Sequence, residues 1–235
     1  MNFFKSIAIL LFTLLDKYVH QKRVIKYIKN NIDVKLFIDV GAHKGTYSDL
    51  ILKNYKNCKV HMFEPQKNIY NYIKKKYKKK KNITIYNNAL SDTKSIKVLN
   101  INNHDLTSSL LELNKNNKYL KLKAKLFGTN LKGMISKLQK VKTVELGKIL
   151  EKKLFKNGVD LVKIDTEGHE LKVLKGLRKN IKKIDYVMIE FHRGKTFKNY
   201  NPNLIHNYLV KNKFLLKKIY KFPFTNWEDR FYRKQ

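Results

Sequence analysis

The sequence has a single cysteine and few acidic residues, and each scarcity excludes a class of protein. Cys58 is the only cysteine among 235 residues, so no disulfide framework can form within the chain. A disulfide-stapled secreted domain is therefore excluded, and we expect a reducing, cytoplasmic location. The spacing of cysteine and histidine suits no structural zinc site. Asp and Glu number 18 against 52 Lys and Arg, which gives a formal net charge of +34.

Proline and glycine are also scarce, at three and nine residues. Flexible linkers are rich in such residues, and no internal repeat is evident, so nothing divides the chain into several domains. A length of 235 residues fits one large domain. We expect an apolar and basic helical segment over residues 1–34. A single domain then follows over residues 35–235, with an insertion at about residues 105–158.

No apolar run reaches the roughly 18–20 residues that a membrane span requires. Residues 7–15 are apolar apart from Thr13, and Asp16 follows them without a signal-peptide cleavage site. Two interpretations of residues 1–20 remain open. The segment is a helix that packs on its own domain, or it inserts shallowly into a membrane surface beside basic residues. The second interpretation places the protein peripherally on the inner membrane face.

The excess of basic residues resembles that of nucleic-acid-binding proteins, because clustered Lys and Arg neutralise phosphates. Arg, however, supplies only five of the 52 basic residues, although Arg makes the bidentate contacts that favour phosphate and base recognition. The densest basic run, residues 74–81, is typical of the solvated end of a helix. The composition therefore does not favour a nucleic-acid partner. RNA methylation or RNA binding stays an alternative function that rests on charge.

Strand and helix patterns alternate from residue 35 onward. Five apolar runs predict the main strands: residues 36–40, 59–63, 83–86, 159–164 and 186–190. An added strand is expected at residues 96–99, and a closing hairpin at 214–220 and 230–233. This alternation predicts an α/β fold with a mostly parallel twisted sheet, helices on both faces and a closing antiparallel hairpin. Residues 105–158 break the rhythm and have a polar, helical pattern.

A glycine-containing loop at residues 39–46 follows the first predicted strand and opens a helix. Glycine permits a tight turn there and a close approach of the backbone to a ligand. Glu64 follows the second strand, 19 residues after Gly45, where an acidic residue binds ribose hydroxyls in nucleotide sites. The three-glycine dinucleotide pattern fails. Asp39 would repel a pyrophosphate and suits a cationic ligand such as S-adenosylmethionine.

Six ordered blocks resemble the FkbM family of S-adenosylmethionine-dependent methyltransferases. They are IDVGAHKG (residues 38–45), FEP (63–65), NALSD (88–92), SSL (108–110), VKIDTEGHE (162–170) and IEFH (189–192). The resemblance implies a Rossmann-like class I methyltransferase fold. It also implies O-methylation of a hydroxyl on a sugar, a glycan or another small molecule.

The resemblance further assigns roles to individual residues. It implies that the cofactor is held by Asp39, Gly41, Ala42, Gly45 and Glu64, and that its adenine lies near Ala89, Leu90 and Asp92. One departure lies before the fourth main strand, where the family's Leu-Asp pair is replaced by Leu146-Gly147. Because Asp is the better residue at a helix start, Gly147 is expected to be a weak substitute.

Polar residues follow the ends of the fourth and fifth main strands. Asp165, Glu167 and His169 leave the fourth strand, and Glu190 and His192 leave the fifth. Ligands bind beyond the carboxyl ends of parallel strands, which lie about 5 Å apart, so we expect these side chains to share a pocket. Methyl transfer to a hydroxyl requires removal of its proton. His192 or Asp165 is the candidate base, and a carboxylate, Glu167 or Glu190, orients the imidazole.

Simpler interpretations of these residues remain open. Asp165 would merely pair with Lys163, Glu167 would favour a helix start, and His169 would be a surface residue. Asp165, Glu167, Glu190 and His192 could instead hold a divalent cation that lowers the pKa of the hydroxyl. The spacing does not demand a metal, so none is assigned. A scaffold that binds the cofactor without turnover is a further alternative.

Overall fold

A sheet of seven strands forms the centre of the protein. The computed structural model describes residues 10–11, 13–102, 108–126, 130, 133, 135–150, 157–223 and 225–235. The strands of the sheet are β1 (Leu36–Val40), β2 (Lys59–Phe63), β3 (Ile83–Tyr86), β7 (Val159–Ile164), β8 (Ile184–His192), β9 (Phe214–Lys221) and β10 (Trp227–Lys234). Their order across the sheet is β3-β2-β1-β7-β8-β10-β9.

The strand directions confirm the predicted fold class. β1 pairs in parallel with β2 and β7, and β8 continues the parallel arrangement beside β7. β9 and β10 form the predicted antiparallel hairpin, with β10 against β8. All five residues of β1 are buried, as expected for a central parallel strand covered on both faces.

Helices cover both faces of the sheet. The α-helices described are α1 (Gln21–Asn31), α2 (Thr46–Asn54), α3 (Lys67–Lys76), α4 (Lys118–Leu126), α5 (Leu146–Leu150), α6 (Glu170–Gly176) and α7 (Pro202–Lys211). Consecutive strand residues point to opposite faces. Ile38 accordingly packs in one core with Leu174 of α6, whereas Phe37 packs in the other core with Ile51 of α2.

A second, three-stranded sheet corrects two expectations. It contains β4 (Ala89–Leu90), β5 (Ser95–Asn102) and β6 (Ile135–Val144) in the order β4-β6-β5. The strand expected at residues 96–99 exists, but it belongs to this separate sheet. Residues 135–144 are a strand instead of a helix, because Val141 and Thr143 face inward with a period of two. Several residues of the predicted insertion lie outside the described ones: 105–107, 127–129, 131–132, 134 and 151–156.

Gly147 serves a close contact between helices and is not simply a poor cap. A Cβ on Gly147 would lie 2.6 Å from the backbone oxygen of Leu177. Glu145, directly before α5, accepts backbone hydrogen bonds from Lys148 and Ile149, and its buried carboxylate pairs with Arg178. Glycine therefore lets α5 approach the chain that follows α6.

The N-terminal segment packs on the domain from His20 onward. A π-helical turn, Asp16–His20, precedes α1, and His20 is buried with Nε2 2.7 Å from Asp229 Oδ2. Val24 and Ile28 of α1 join the core. Residues 1–9 and 12 of the predicted membrane-contacting segment lie outside the described residues. Among the residues described, no helix is long and apolar enough to cross a bilayer.

Candidate active site

The predicted cofactor loop begins where β1 ends, and two of its glycines are required by their surroundings. Gly41 has φ +74°, and a Cβ there would lie 1.8 Å from the backbone oxygen of Asp165. Gly45 has φ +80°, and its Cβ would lie 2.3 Å from the hydroxyl of Tyr77. Gly41 thus lets the loop after β1 touch the loop after β7. The predicted cofactor loop and the predicted catalytic loop are in direct contact.

Glu64 lies at the end of β2 and binds the cofactor loop itself. Its Oε2 accepts a hydrogen bond from the His43 amide at 2.9 Å, and its Oε1 accepts one from the Gln66 amide at 2.8 Å. Burial raises the pKa of Glu64 to about 7, although both amides oppose the shift. Each carboxylate oxygen has a further lone pair for a ligand hydroxyl. Asn87, which the sequence did not single out, donates to the Glu64 carbonyl oxygen at 2.9 Å.

A buried lysine joins Asp39 to Asp165. Lys163 Nζ lies 3.1 Å from Asp165 Oδ2 and 3.6 Å from Asp39 Oδ1. Ser48 donates to Asp39 Oδ2 at 2.7 Å. Burial opposes a charge on Lys163, but the two carboxylates outweigh it and raise its pKa. The simpler interpretation of Asp165, a pair with Lys163, is therefore observed, and Asp39 shares the same cation.

Three of the four predicted catalytic residues come together. His192 Nε2 lies 3.2 Å from Glu167 Oε2 and 3.5 Å from Glu190 Oε1. Glu190 and His192 project from one face of β8 because they are two residues apart. Asp165 lies beside this group, held by Lys163. The structure thus forms a compact cluster, which we call the Glu-Glu-His cluster, of Glu167, Glu190 and His192.

The loop that carries Glu167 is held by residues from two other segments. Glu167 has φ +52°, a strained conformation for a residue with a side chain. Ser109 donates its hydroxyl hydrogen to the Glu167 carbonyl oxygen at 2.6 Å. Glu170 Oε1 accepts from the amides of Gly168 at 2.8 Å and Thr166 at 3.2 Å. Glu170, not Glu167, therefore stabilises the start of α6, and Ser109 orients Glu167.

Aromatic side chains enclose His192. The rings of Phe197 and Tyr200 lie 5.0 Å and 5.7 Å from the imidazole, both edge-on. Burial lowers the pKa of His192, but the carboxylates around it, above all Glu167, outweigh burial and raise it. Burial, Asp165 and Glu167 raise the pKa of Glu190 well above the usual range. The raised pKa values of His192 and Glu190 therefore suit this cluster to bind and release protons.

His169 does not join the cluster, and the expectation of a surface residue is wrong. It is 4 % exposed, and its Nε2 lies 3.0 Å from Ser91 Oγ. Burial lowers the pKa of His169 to about 4. The local sequence around His169 does not predict this burial, because Ser91, which contacts its ring, lies 78 residues earlier in the chain.

The residues predicted beside the adenine lie in the segment that packs on α6. Ala89 and Leu90 are buried in β4. Asp92 forms an ion pair with Lys172 of α6 at 2.8 Å. A Cβ on Gly176 would lie 2.1 Å from the Ser91 carbonyl oxygen, so the contact with α6 is close. Their role toward an adenine stays a prediction.

A family model described as the methyltransferase FkbM domain matches residues 39–219. The chain belongs to the FkbM family. The resemblance drawn from the six sequence blocks is therefore confirmed. This FkbM family member matches the hexuronic acid methyltransferase AglP of Haloferax volcanii with 46% identity over 35 residues, 15% of each chain. The matched segment therefore covers only a small part of the length of that relative.

Solved structures support the fold. A crystal structure of an FkbM methyltransferase from Methylobacillus flagellatus is 15% identical, covers 86% of this chain and 44% of its own, and has a TM-score of 0.54. A protein of Clostridium thermocellum proposed to be an rRNA methylase is 10% identical and covers 92% of this chain and 97% of its own, with a TM-score of 0.52. At such identities these similarities show the fold alone. They confirm the predicted class I methyltransferase fold.

Proposed function

We propose that this FkbM methyltransferase transfers a methyl group from S-adenosylmethionine to a hydroxyl of a sugar, a glycan or another small molecule. The observation that carries the proposal is the contact of Gly41 with the backbone of Asp165. Through this contact, a cofactor on the loop after β1 would face the Glu-Glu-His cluster. The family match supports methyl transfer.

The residues at the strand ends fit S-adenosylmethionine, which supplies an electrophilic methyl group. Glu64 is buried and has free lone pairs for ribose hydroxyls, beside the peptide groups of residues 41–45. Ala89, Leu90 and Asp92 would line the adenine side. The carboxylates of Asp39 and Asp165 outnumber the single cation between them, Lys163. A net negative site of this kind suits a ligand that carries a sulfonium and an amino group.

His192 is the proposed proton acceptor when no metal ion occupies the cluster, and Glu167 and Glu190 lie beside its Nε2. The hydroxyl oxygen would gain the methyl group as the bond between sulfur and the methyl carbon breaks and S-adenosylhomocysteine leaves, while the hydroxyl proton would pass to Nε2 of His192. Asp165 is the alternative base and is less suited to the role, because its Oδ2 is paired with Lys163. A positioned base contributes roughly 10²–10⁴ in rate. Phe197 and Tyr200 limit the access of water to the imidazole.

Electrostatics favour a hydroxyl acceptor over a carboxylate. The name of the Haloferax volcanii relative points to hexuronic acids, which offer both groups. A carboxylate acceptor would be repelled by Glu167 and Glu190, and it needs no base because it has no proton to lose at neutral pH. A hydroxyl needs the base and meets no such repulsion. We therefore propose ether formation on a sugar ring.

The test supplies radiolabelled S-adenosylmethionine and a panel of neutral sugars, hexuronic acids and RNA to the full-length protein. Label in a carbohydrate that withstands mild alkali identifies a methyl ether and supports the proposal. Alkali-labile label identifies a methyl ester and would contradict the choice of hydroxyl. Label that enters RNA alone would replace the proposal by the RNA alternative.

We also propose that the start of the chain docks on an anionic membrane surface. Leu10, Leu11 and Leu14 are 57%, 55% and 41% exposed. Lys17 lies in the π-helical turn that follows them, and Lys22 lies at the start of α1. Exposed leucines beside lysines are typical of helices that lie in the interface of anionic lipid. Such docking would hold a cytoplasmic enzyme at the inner membrane face.

Flotation with vesicles that contain an anionic lipid tests this docking. Serine at Leu10, Leu11 and Leu14 should abolish flotation of the full-length protein. The control is Leu204→Ser on α7, which is also exposed and should float unchanged. Equal flotation of the triple variant and the control would reject the docking.

A further inference from the structure

We propose that the Glu-Glu-His cluster binds a divalent transition-metal ion. Binding itself needs no cofactor, and only the catalytic use of the ion rests on the proposed function. The sequence alone assigned no metal, because the spacing of these residues does not demand one. The proposal rests on their arrangement in space, on an unsatisfied imidazole and on a surplus of carboxylates.

The ligand atoms are already close to a common centre. His192 Nε2 lies 3.2 Å and 3.5 Å from oxygens of Glu167 and Glu190, and the three ligand atoms all lie within 4.8 Å of one another. Bonds of about 2.0–2.2 Å to one ion separate its ligand atoms by up to roughly 4 Å. A small inward movement of the side chains is therefore enough to coordinate an ion.

The imidazole of His192 is buried without a hydrogen bond. Neither ring nitrogen has a partner among the described residues, although His192 is only 4 % exposed. Nε2 faces both carboxylates but is not aligned for a hydrogen bond with either. A buried polar atom without a hydrogen bond destabilises the fold. An ion between the three groups would satisfy this nitrogen.

Carboxylates dominate the described surroundings of the cluster, in a chain where basic residues dominate by 52 to 18. The charged groups that act on Glu190 include the carboxylates of Asp165, Glu167 and Asp229, and the ammonium of Lys163. Lys163 already lies between Asp39 and Asp165. A bound cation would neutralise the remaining carboxylates.

The donor set selects the kind of ion. One imidazole nitrogen and two carboxylate oxygens suit Mn²⁺, Fe²⁺ or Zn²⁺ better than Mg²⁺ or Ca²⁺, which prefer oxygen ligands throughout. Three protein ligands leave coordination positions open, as in catalytic sites and unlike closed structural sites. An acceptor hydroxyl at an open position would have a lowered pKa. His192 would then be a ligand, and Asp165 would be the remaining proton acceptor.

Titration with Mn²⁺ tests the site in full-length protein that has been stripped with a chelator. Electron paramagnetic resonance of the free ion should show one site with micromolar affinity, and Zn²⁺ should displace the Mn²⁺. Glu167→Gln and Glu190→Gln should each weaken binding at least about tenfold. The matched control is Glu112→Gln, an exposed glutamate paired with Lys198, which should bind as the wild type does. Equal affinity in Glu190→Gln and Glu112→Gln overturns the proposal.

A measurement on the wild type covers the case in which the variants fail to fold. Bound Mn²⁺ should broaden the His192 ring signal more strongly than any other histidine signal at substoichiometric ion, and equal broadening of all of them overturns the site. Titration of the same protein with S-adenosylmethionine separates the two proposals. Cofactor binding without Mn²⁺ binding overturns the metal site alone. Mn²⁺ binding without cofactor binding supports the metal site and overturns the proposed function.

Discussion

Glu64 and Glu190 are glutamates at the carboxyl edge of the same sheet, yet their surroundings differ. Glu64 follows β2 and has both oxygens bound to backbone amides. Glu190 lies near the end of β8 among other carboxylates, with His192 Nε2 3.5 Å away. Burial raises the pKa of Glu64 to about 7 against the effect of the two amides, whereas burial and the neighbouring carboxylates Asp165 and Glu167 together raise that of Glu190. Backbone amides bind one carboxylate, whereas the other lies beside an imidazole and further carboxylates.

The difference separates a preorganised half of the site from an incomplete half. Around Glu64 the protein supplies the donors, so this half holds its shape before a ligand arrives. Around Glu190 the protein has placed Asp165, Glu167 and Asp229 with little compensating charge. A ligand must bring charge or protons to the group around Glu190. Residues with such shifted pKa values are typical of the sites where proteins carry out chemistry. The predictions below begin with the incomplete half.

The largest effect is expected for His192→Gln. Loss of the proposed base or ligand should lower the rate of methyl transfer by roughly 10²–10⁴. The affinity for S-adenosylmethionine should stay unchanged, because His192 lies in the incomplete half. Single-turnover assays and calorimetry measure the two quantities. A rate close to that of the wild type would remove His192 from the mechanism.

Gly41→Ala should damage both halves at once. A left-handed φ and a Cβ 1.8 Å from Asp165 O should together lower the free energy of unfolding by roughly 2–5 kcal/mol. Gly194→Ala is the control, since its nearest atoms lie 3.6 Å away. Urea unfolding measures both variants. Equal stability of the two would mean that the loops are not in the tight contact described.

Glu64→Ala should lower the affinity for S-adenosylmethionine at least about 100-fold. Hydrogen bonds to a charged group contribute about 1.5–3 kcal/mol each, and two ribose hydroxyls would lose their acceptor. The variant also removes the hydrogen bond that holds the His43 amide. Calorimetry of the wild type and the variant measures the change. Unchanged affinity would mean that the cofactor does not contact the end of β2.

The smallest effect is a pH dependence of cofactor affinity. A pKa of about 7 means that Glu64 is mostly protonated at pH 6 and mostly ionised at pH 8. The ionised form accepts hydrogen bonds from both ribose hydroxyls, so affinity should rise about tenfold from pH 6 to pH 8. The rise should disappear in Glu64→Gln. A rise of the same size in that variant would assign it to another group.

Short-range patterns predicted most of the fold. The apolar runs of β1, β2, β7 and β8 are found within one or two residues of their predicted bounds. β6 was missed because its lysines gave residues 135–144 a polar appearance, although Val141, Lys142 and Thr143 alternate as a strand does. Local periodicity is therefore informative only where one face is clearly apolar.

Contacts between distant segments limited the prediction of the site. The cluster was predictable because Glu167, Glu190 and His192 each follow or end a parallel strand. The bond from Ser109 to Glu167 joins residues 58 apart, and that from His20 to Asp229 joins residues 209 apart. No local pattern encodes such pairs. The link of Lys163 to Asp39 likewise depends on the pairing of β1 with β7.

Titration of the purified full-length protein with S-adenosylmethionine, with NAD as the control ligand, tests the central claim most directly. Micromolar binding of S-adenosylmethionine together with no binding of NAD is the predicted result. It would leave the acceptor as the remaining problem. Binding of neither ligand would contradict the claim and would mean that the loop between Asp39 and Gly45 is only structural.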